Sequence, residues 1–476
     1  MRGAAVIATL AVLTGCASAT QTPVPQVPIT DAYKESKNGP SGTSIQLAQD
    51  RWWSIYKDPE LDHLELRLIA NSPDLGSALA RYQQARAATD TIRSSRMPSV
   101  DASLNGARNR QSDRRPLRGE SSPDNYSSAT LALDFDYEID LWGRVSQQIA
   151  AGVAQEQAAQ ADLASARLAL QIQLADTVIA LRGADKEISL LQETENAYSR
   201  AASLAAERHR GGVASGLDLA RAQAQLETAG SQLHQVQAQR ALLEHAIAAL
   251  VGANASSFSL APKLIAGDVP LIPLGIPSDL LQRRPDIAAA QHRIEAANAS
   301  VGVARKAYFP SVRLSGIGGY QSDDFGNFLS APNIFWAAGP GLLVSLFDGG
   351  RRKAEIARAE AVLDQEGHVY RGVVLSAFQQ VEDQLSSLNR FGEAASDEQR
   401  AVVATQRALD LANNLYRDGA VSYIEVVTAQ TANLQARRSA LDLNTRQRRA
   451  TVQLIRALGG GWSTKMVAAQ PMQKQL

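Results

Sequence analysis

Ala129-Thr130-Leu131-Ala132-Leu133-Asp134-Phe135-Asp136-Tyr137-Glu138-Ile139-Asp140-Leu141 alternates strictly between two kinds of side chain, apolar and acidic towards its end. Successive side chains of a β-strand point to opposite faces. Leu131, Leu133, Phe135, Tyr137 and Ile139 therefore share one face, and Asp134, Asp136, Glu138 and Asp140 share the other. A half-buried strand of a soluble sheet would explain the alternation but not four carboxylates on one side. An apolar outside and an acidic, wet inside is the pattern of a strand that crosses an outer membrane. On this reading Asp134, Asp136, Glu138 and Asp140 face a lumen.

The chain on either side of this stretch has another period. Proline is absent from Asp124 through Ala261 and again from Gly341 through Gln470, as long uninterrupted helices require. A helix from Arg144 to Glu207 would run roughly 95 Å at 1.5 Å per residue, too long for an ordinary globular domain. At 100° per residue Leu170, Leu174 and Leu181 form one apolar stripe, and Leu168, Ile172 and Ile179 a second. Gln171 and Arg182 lie between the stripes on one side, Gln173 and Asp176 on the other. Two seams separated by two wet faces describe a stave in a ring, with an antiparallel coiled-coil bundle as the alternative.

The halves repeat one another. Ser72-Pro73-Asp74-Leu75 matches Arg284-Pro285-Asp286-Ile287 at a shift of 212 residues, which also pairs Pro98-Ser99-Val100 with Pro310-Ser311-Val312. Further on, Gly143-Arg144 pairs with Gly350-Arg351, Gly212 with Gly419 and Gly252 with Gly459, each at a shift of 207. The change of shift falls in the strand and loop region, where length varies freely. Each repeat reads helix, two strands, long helix, tight turn, helix. The first spans 51–265, with strands at about 100–110 and 127–141 and a hairpin turn at 209–217. The second spans 266–460, with strands at about 311–321 and 335–346 and a turn at 416–424. A tail, 461–476, follows.

Four strands cannot close a barrel, since small membrane barrels need about eight, and an open edge in lipid leaves backbone groups unpaired at several kcal/mol each. Oligomerisation is a requirement of this reading. Two copies would give eight strands and three would give twelve; periodicity does not choose between them.

Composition agrees. Aromatic residues make up 5% of the 476 residues, which suits packed helices better than one large core. Lysine plus arginine equals aspartate plus glutamate at 48 each, and no basic run or aromatic-basic patch argues for nucleic acid. There is no phosphate-binding glycine loop, nucleophile elbow or His-Glu-x-x-His motif, so no enzymatic function and no cofactor is expected. His292 and Glu295 have a spacing that suits a metal, but no second ligand pair follows, and a solvated helix face is the expected reading.

The beginning of the chain sets the compartment. Arg2 precedes a short apolar stretch, Gly3 to Leu13, and then Leu13-Thr14-Gly15-Cys16. Such a stretch is a secretory signal (1–15), too short to cross a bilayer. Cys16 is the only cysteine, so no intrachain disulfide can form. The tetrapeptide resembles the lipobox of bacterial lipoproteins, which implies acylation of Cys16. Ala17, in place of an inner-membrane retention aspartate, points by the same resemblance to the outer membrane. The alternative is cleavage after Ala17-Ser18-Ala19 with an incidental cysteine. Residues 16–50, rich in Pro, Ser, Thr and Gly, read as an extended tether.

Five ordered blocks carry a wider resemblance over nearly the whole mature chain: Trp52-Trp53 with Tyr56, Asp58-Pro59 and Leu61; Tyr137 to Arg144; Pro277-Ser278-Asp279-Leu280-Leu281 with Arg283-Arg284-Pro285-Asp286-Ile287; Tyr308-Phe309-Pro310-Ser311; and Leu346 to Arg351. They resemble the TolC family of outer membrane factors, specifically its NodT/OprM-type efflux lipoproteins. The resemblance implies a mixed α and β membrane protein: a homotrimer whose twelve strands form an outer-membrane barrel continuous with a periplasmic α-barrel. It also implies a periplasmic adaptor (membrane fusion protein) and an inner-membrane pump of the resistance-nodulation-division (RND) type as partners in small-molecule efflux. Two alternatives stay open, a duct for type I protein secretion and a periplasmic coiled-coil scaffold.

In this resemblance the helix-to-helix turns form the periplasmic tip, which places Gly212, Val213, Gly419 and Ala420 in the adaptor-docking surface. Asp218 and Tyr416 match an aspartate and a tyrosine whose hydrogen bond closes the family's entrance. Glu425 matches one acidic residue of the constriction ring, and Thr428 stands where the ring has its second. Helix N-terminal capping is the other role open to Asp218 and Glu425.

Overall fold

The computed structural model describes residues 27–28, 30–36, 51–116, 119, 123–264, 267–272, 274, 277–324 and 326–462. The lipidation site expected at Cys16 lies outside them. The helices are α1 (Pro59–Asn71), α2 (Pro73–Ser94), α3 (Arg144–Arg210), α4 (Gly216–Leu250), α5 (Leu280–Arg283), α6 (Pro285–Lys306), α7 (Arg351–Arg417) and α8 (Tyr423–Ala457). The strands are β1 (Ser99–Arg110), β2 (Asn125–Ile139), β3 (Ser311–Ser322) and β4 (Ile334–Leu343). Helix starts follow local chemistry: Asp58 accepts a hydrogen bond from the Glu60 amide at 3.1 Å with Pro59 in the first turn, and Pro73 and Pro285 open α2 and α6. The proline-free stretches become α3 and α7, 67 residues each, and α4 and α8, 35 residues each. Equal lengths in the two repeats are the duplication seen in three dimensions.

Contacts divide the chain into two units that cut across the repeats. The first draws on 82–159 and 290–370 and holds a four-stranded antiparallel sheet in the order β1-β2-β3-β4. β2 pairs with β3, so the repeats are joined inside the sheet, and β1 and β4 are its edges. The joint is reinforced where Trp142 stacks on Phe309 at 5.1 Å and donates its indole N–H to the Pro310 carbonyl at 2.7 Å.

Two strands stop short of their expected ends. β2 closes at Ile139, opposite Val312, and β4 at Leu343, opposite Ser311. β3 begins at Ser311, just after Pro310, so residues 141 and 344–346 have no β3 partner to continue the ladder, and Asp140 falls opposite the first residue of β3. Asp140 turns instead to the start of α3, accepting from the Val145 and Ser146 amides at 3.0 and 2.8 Å and from the Ser146 hydroxyl at 2.7 Å.

The second unit draws on 26–81, 160–289 and 371–476. Its main core gathers Trp52, Trp53, Leu61, Leu64 and Leu68 against Ile172, Leu174, Val178, Ile179 and Leu181 of α3. The two tryptophans meet edge to face at 5.9 Å. Burying a ring of that size is worth roughly 4 to 5 kcal/mol before ordering entropy is counted.

This core corrects one expectation for α3. The side carrying Gln171 and Arg182 is buried, not wet. Helix α1 and the turn before it cover α3 here, an assignment that periodicity along α3 alone does not contain. Arg182 is accommodated by polar partners: Asp185 at 3.2 Å, the Ala261 carbonyl at 3.0 Å, and Glu60. Asp185 also accepts from Arg240 at 2.7 Å and from the Lys263 amide at 3.0 Å. Partners on both terminal nitrogens offset much of the desolvation penalty that an isolated guanidinium would carry, while Arg182 Nε is buried without a hydrogen-bond partner.

Candidate functional site

Residues directly opposite in an antiparallel pair share a face, so the register assigns both faces of the sheet. On one face Asp134 stands opposite Asp101, Asp136 opposite Ser315 and Glu138 opposite Arg313. Ser103 donates to Asp134 at 3.2 Å, Asn109 donates to Ser128 at 3.1 Å, and Arg313 lies 3.7 Å from Asp136. On the other face lie Val100, Leu104, Leu133, Leu314, Trp336 and Leu342, all exposed. Gly339-Pro340-Gly341 interrupts the side-chain alternation of β4, and pairing with β3 puts Trp336 and Leu342 on the apolar side.

The four carboxylates expected on the polar face are not equivalent. Asp134 and Asp136 remain on it. Glu138 is held by Arg144 through hydrogen bonds of 2.6 and 2.8 Å, so its charge is balanced by the first residue of α3. Asp140 lies beyond the strand and caps that helix.

At the other end of the long helices the two turns are alike. The Val213 amide donates to the Arg208 carbonyl and the Ala420 amide to the Leu415 carbonyl, both at 2.8 Å, closing each helix with a six-residue ring. That closure needs a left-handed residue, supplied by Gly212 at φ 71° and Gly419 at φ 77°. Gly212, Val213, Gly419 and Ala420 are all exposed.

Next to the turns, Asp218 accepts from the Ser215 hydroxyl at 2.9 Å while its amide donates to that hydroxyl oxygen at 3.1 Å. This is the capping arrangement for the start of α4. Tyr416 packs on Tyr423 at 5.3 Å and lies under the Arg208 guanidinium at 4.9 Å. Among the described residues no hydrogen bond joins Asp218 to Tyr416. Glu425 and Thr428 are exposed on α8, and the Thr428 hydroxyl donates back to the Ile424 carbonyl at 2.8 Å.

The sequence pattern of the outer membrane efflux protein family is met twice, by residues 66–253 and by residues 276–460. The chain belongs to the outer membrane efflux protein family. It is 29% identical over 456 residues to the outer membrane protein OprJ of Pseudomonas aeruginosa, covering 94% of each chain. With the toluene efflux pump outer membrane protein TtgC of Pseudomonas putida it shares 30% identity over 461 residues, 95% of this chain and 94% of that one. The solved outer-membrane channel OprN superposes with a TM-score of 0.85 at 29% identity, over 93% of this chain and 99% of the other.

As a family member the protein is an outer-membrane efflux channel component, and each family match holds one pair of strands and one long hairpin. Among the described residues no helix is long and apolar enough to cross a membrane, and no group of three or more metal-binding side chains is gathered. His292 is bonded to Glu295 at 2.9 Å.

Sequence reasoning missed Tyr423. It is buried with Val426, Ala202, Ala205 and Ala222. Burial, then the nearby Tyr416 and Asp218, push its hydroxyl above the ordinary tyrosine pKa. A signal was present: at the 207 shift Tyr423 corresponds to Gly216, so a large aromatic side chain stands just after the second turn where the first repeat has none.

Proposed function

We propose that three copies of this chain close a twelve-stranded barrel in the outer membrane, with the face carrying Asp134 and Asp136 lining the pore and the face carrying Leu104 and Trp336 in lipid. The observation that carries this reading is the sheet itself: one polar face, one apolar face, and two edge strands, β1 and β4, without partners. Such edges are untenable in lipid unless another copy pairs with them. The long hairpins of each copy then line a periplasmic tunnel. Their exposed tips, Gly212-Val213 and Gly419-Ala420, offer backbone and small side chains to a periplasmic adaptor. An inner-membrane pump of the RND type supplies the energy, and the channel performs no covalent chemistry.

Acylation of Cys16 adds a lipid anchor, with residues 16–50 as tether. Purified protein in planar bilayers is expected to conduct ions as a trimer, and Cys16→Ser is expected to stay membrane-embedded because the barrel, not the lipid, holds it there. Release of Cys16→Ser as hydrophilic protein without channel activity would replace this reading with that of a lipid-tethered periplasmic scaffold.

A further inference from the structure

The duplication fixes more than the existence of a joint between copies. Inside the chain the two hairpins have one register. Ser99 pairs with Asp136 in the first, and Ser311 pairs with Leu343 in the second. Moving Ser99 by 212 residues gives Ser311, and moving Asp136 by 207 gives Leu343. The shifts read from sequence motifs are thus obeyed by the hydrogen-bond ladder, residue for residue.

The joint between repeats can be carried forward in the same way. Phe135 of β2 stands opposite Gly316 of β3. Moving Phe135 by 207 gives Leu342 of β4, and moving Gly316 back by 212 gives Leu104 of β1. Leu342 and Leu104 both lie on edge strands and on the apolar face, and they are 71% and 70% exposed.

We infer that β4 of one copy pairs antiparallel with β1 of a second copy in the register that sets Leu342 opposite Leu104, Gly341 opposite Asn105 and Trp336 opposite Arg110. The inference rests on the trimeric reading above and adds to it the residues that make the seam. It satisfies the face rule without adjustment: Leu342 meets an apolar partner on the lipid side, and Gly341 meets Asn105 on the polar side. A slip of one residue would put Leu342 on the face opposite its partner's apolar row. Trp336, 78% exposed, gains the Arg110 guanidinium beside its indole.

Slips of two residues keep the faces and are the real competitors, so the test must separate them. Directly opposite residues lie about 4.5 to 5.5 Å apart at Cα, within disulfide range, whereas diagonal neighbours lie at about 7 to 8 Å. The full chain carrying Leu104→Cys and Leu342→Cys is oxidised in membranes with a permeant oxidant and run without reductant. The pair Leu104→Cys with Val344→Cys reports the slip, and each single variant reports any reaction of the native cysteine. Covalent dimers and trimers from the first pair, absent from the second and from the singles, are expected. Crosslinking by the Val344 pair in its place overturns the register, and so does an intact native trimer with neither pair crosslinked. A native mass of one chain would defeat the trimer itself, and the seam with it.

Discussion

Gly459 lies so close to the carbonyl oxygen of Arg283 that a Cβ at that position would stand 1.9 Å from it. Gly252 stands likewise against Asn71, at 2.3 Å. Asn71 and Arg283 are 212 residues apart, Gly252 and Gly459 are 207 apart, and both glycines have positive φ, 67° and 90°. In each repeat the end of the hairpin's second helix is therefore set directly against the last residue of a short helix, α1 in the first repeat and α5 in the second.

A methyl group cannot be accommodated there, because backbone is less able to move aside than the tip of a flexible side chain. Gly252→Ala and Gly459→Ala should each cost more than the roughly 1 to 2 kcal/mol of a left-handed alanine alone. Gly212→Ala is the matched control, with φ 71° and open space around its Cβ position, and should cost only that strain. Thermal unfolding in detergent checks the ranking; equal losses at all three sites would show that the close approach is not felt.

Much of this was legible in the sequence. The repeat motifs gave both shifts, the proline-free runs gave the four long helices, and the alternation around Asp134 gave β2 and its faces. What was not legible depended on distant partners. Gln171 and Arg182 on α3 look solvated until α1 covers them. Asp140 continues the alternation perfectly and yet leaves the strand, because three hydrogen bonds at the start of α3 hold it more firmly than a last ladder position opposite Ser311.

Glu65 gives a pH-dependent prediction. It is fully buried on α1, neither carboxylate oxygen has a hydrogen-bond partner, and burial pushes its pKa up to about 9 despite the opposing influence of Arg167. A carboxyl group is ordinarily near 4.3, so the folded state binds this proton more tightly than the unfolded state. Stability from this group is complete below about pH 4 and declines as pH rises towards about 9. At pH 7 the loss is on the order of 3 kcal/mol. Glu65→Met, similar in volume and without the charge, should raise the unfolding midpoint at pH 7, and the gain should shrink on acidification towards pH 5. A gain independent of pH would mean that packing, not protonation, is the cause.

Helix α8 is tied to α3 by arginines. Arg449 meets Asp176 at 2.8 Å, Arg438 meets Glu187 at 2.7 Å, and Arg437 meets Glu193 at 2.9 Å. Both side chains of the Arg438 pair are about two-thirds covered, whereas Glu193 is 65% exposed. Screening by water is stronger at the second site. A double-mutant cycle should give a coupling of about 1 kcal/mol for Arg438 with Glu187 and below about 0.5 kcal/mol for Arg437 with Glu193. Added salt should weaken the exposed pair first; a reversed order would contradict the burial argument.

The proposed tunnel entrance yields the last prediction, which turns on the partners that Asp218 and Tyr416 have in the structure. A hydrogen bond from Tyr416 to Asp218 would make the tyrosine hydroxyl decisive. In the structure Asp218 is engaged with Ser215, and Tyr416 contributes its ring, packed on the buried Tyr423 and under Arg208. Tyr416→Phe preserves both ring contacts and should leave single-channel conductance nearly unchanged. Tyr423→Ala removes the buried ring of the pair and leaves a cavity among Ala202, Ala205, Ala222 and Val426, a change worth several kcal/mol in a well-packed site, on the order of 3 to 5 for an aromatic ring. It should loosen α8 at the tip and raise conductance. A rise with Tyr416→Phe and none with Tyr423→Ala would return the gate to the hydroxyl and defeat the ring contact as its basis.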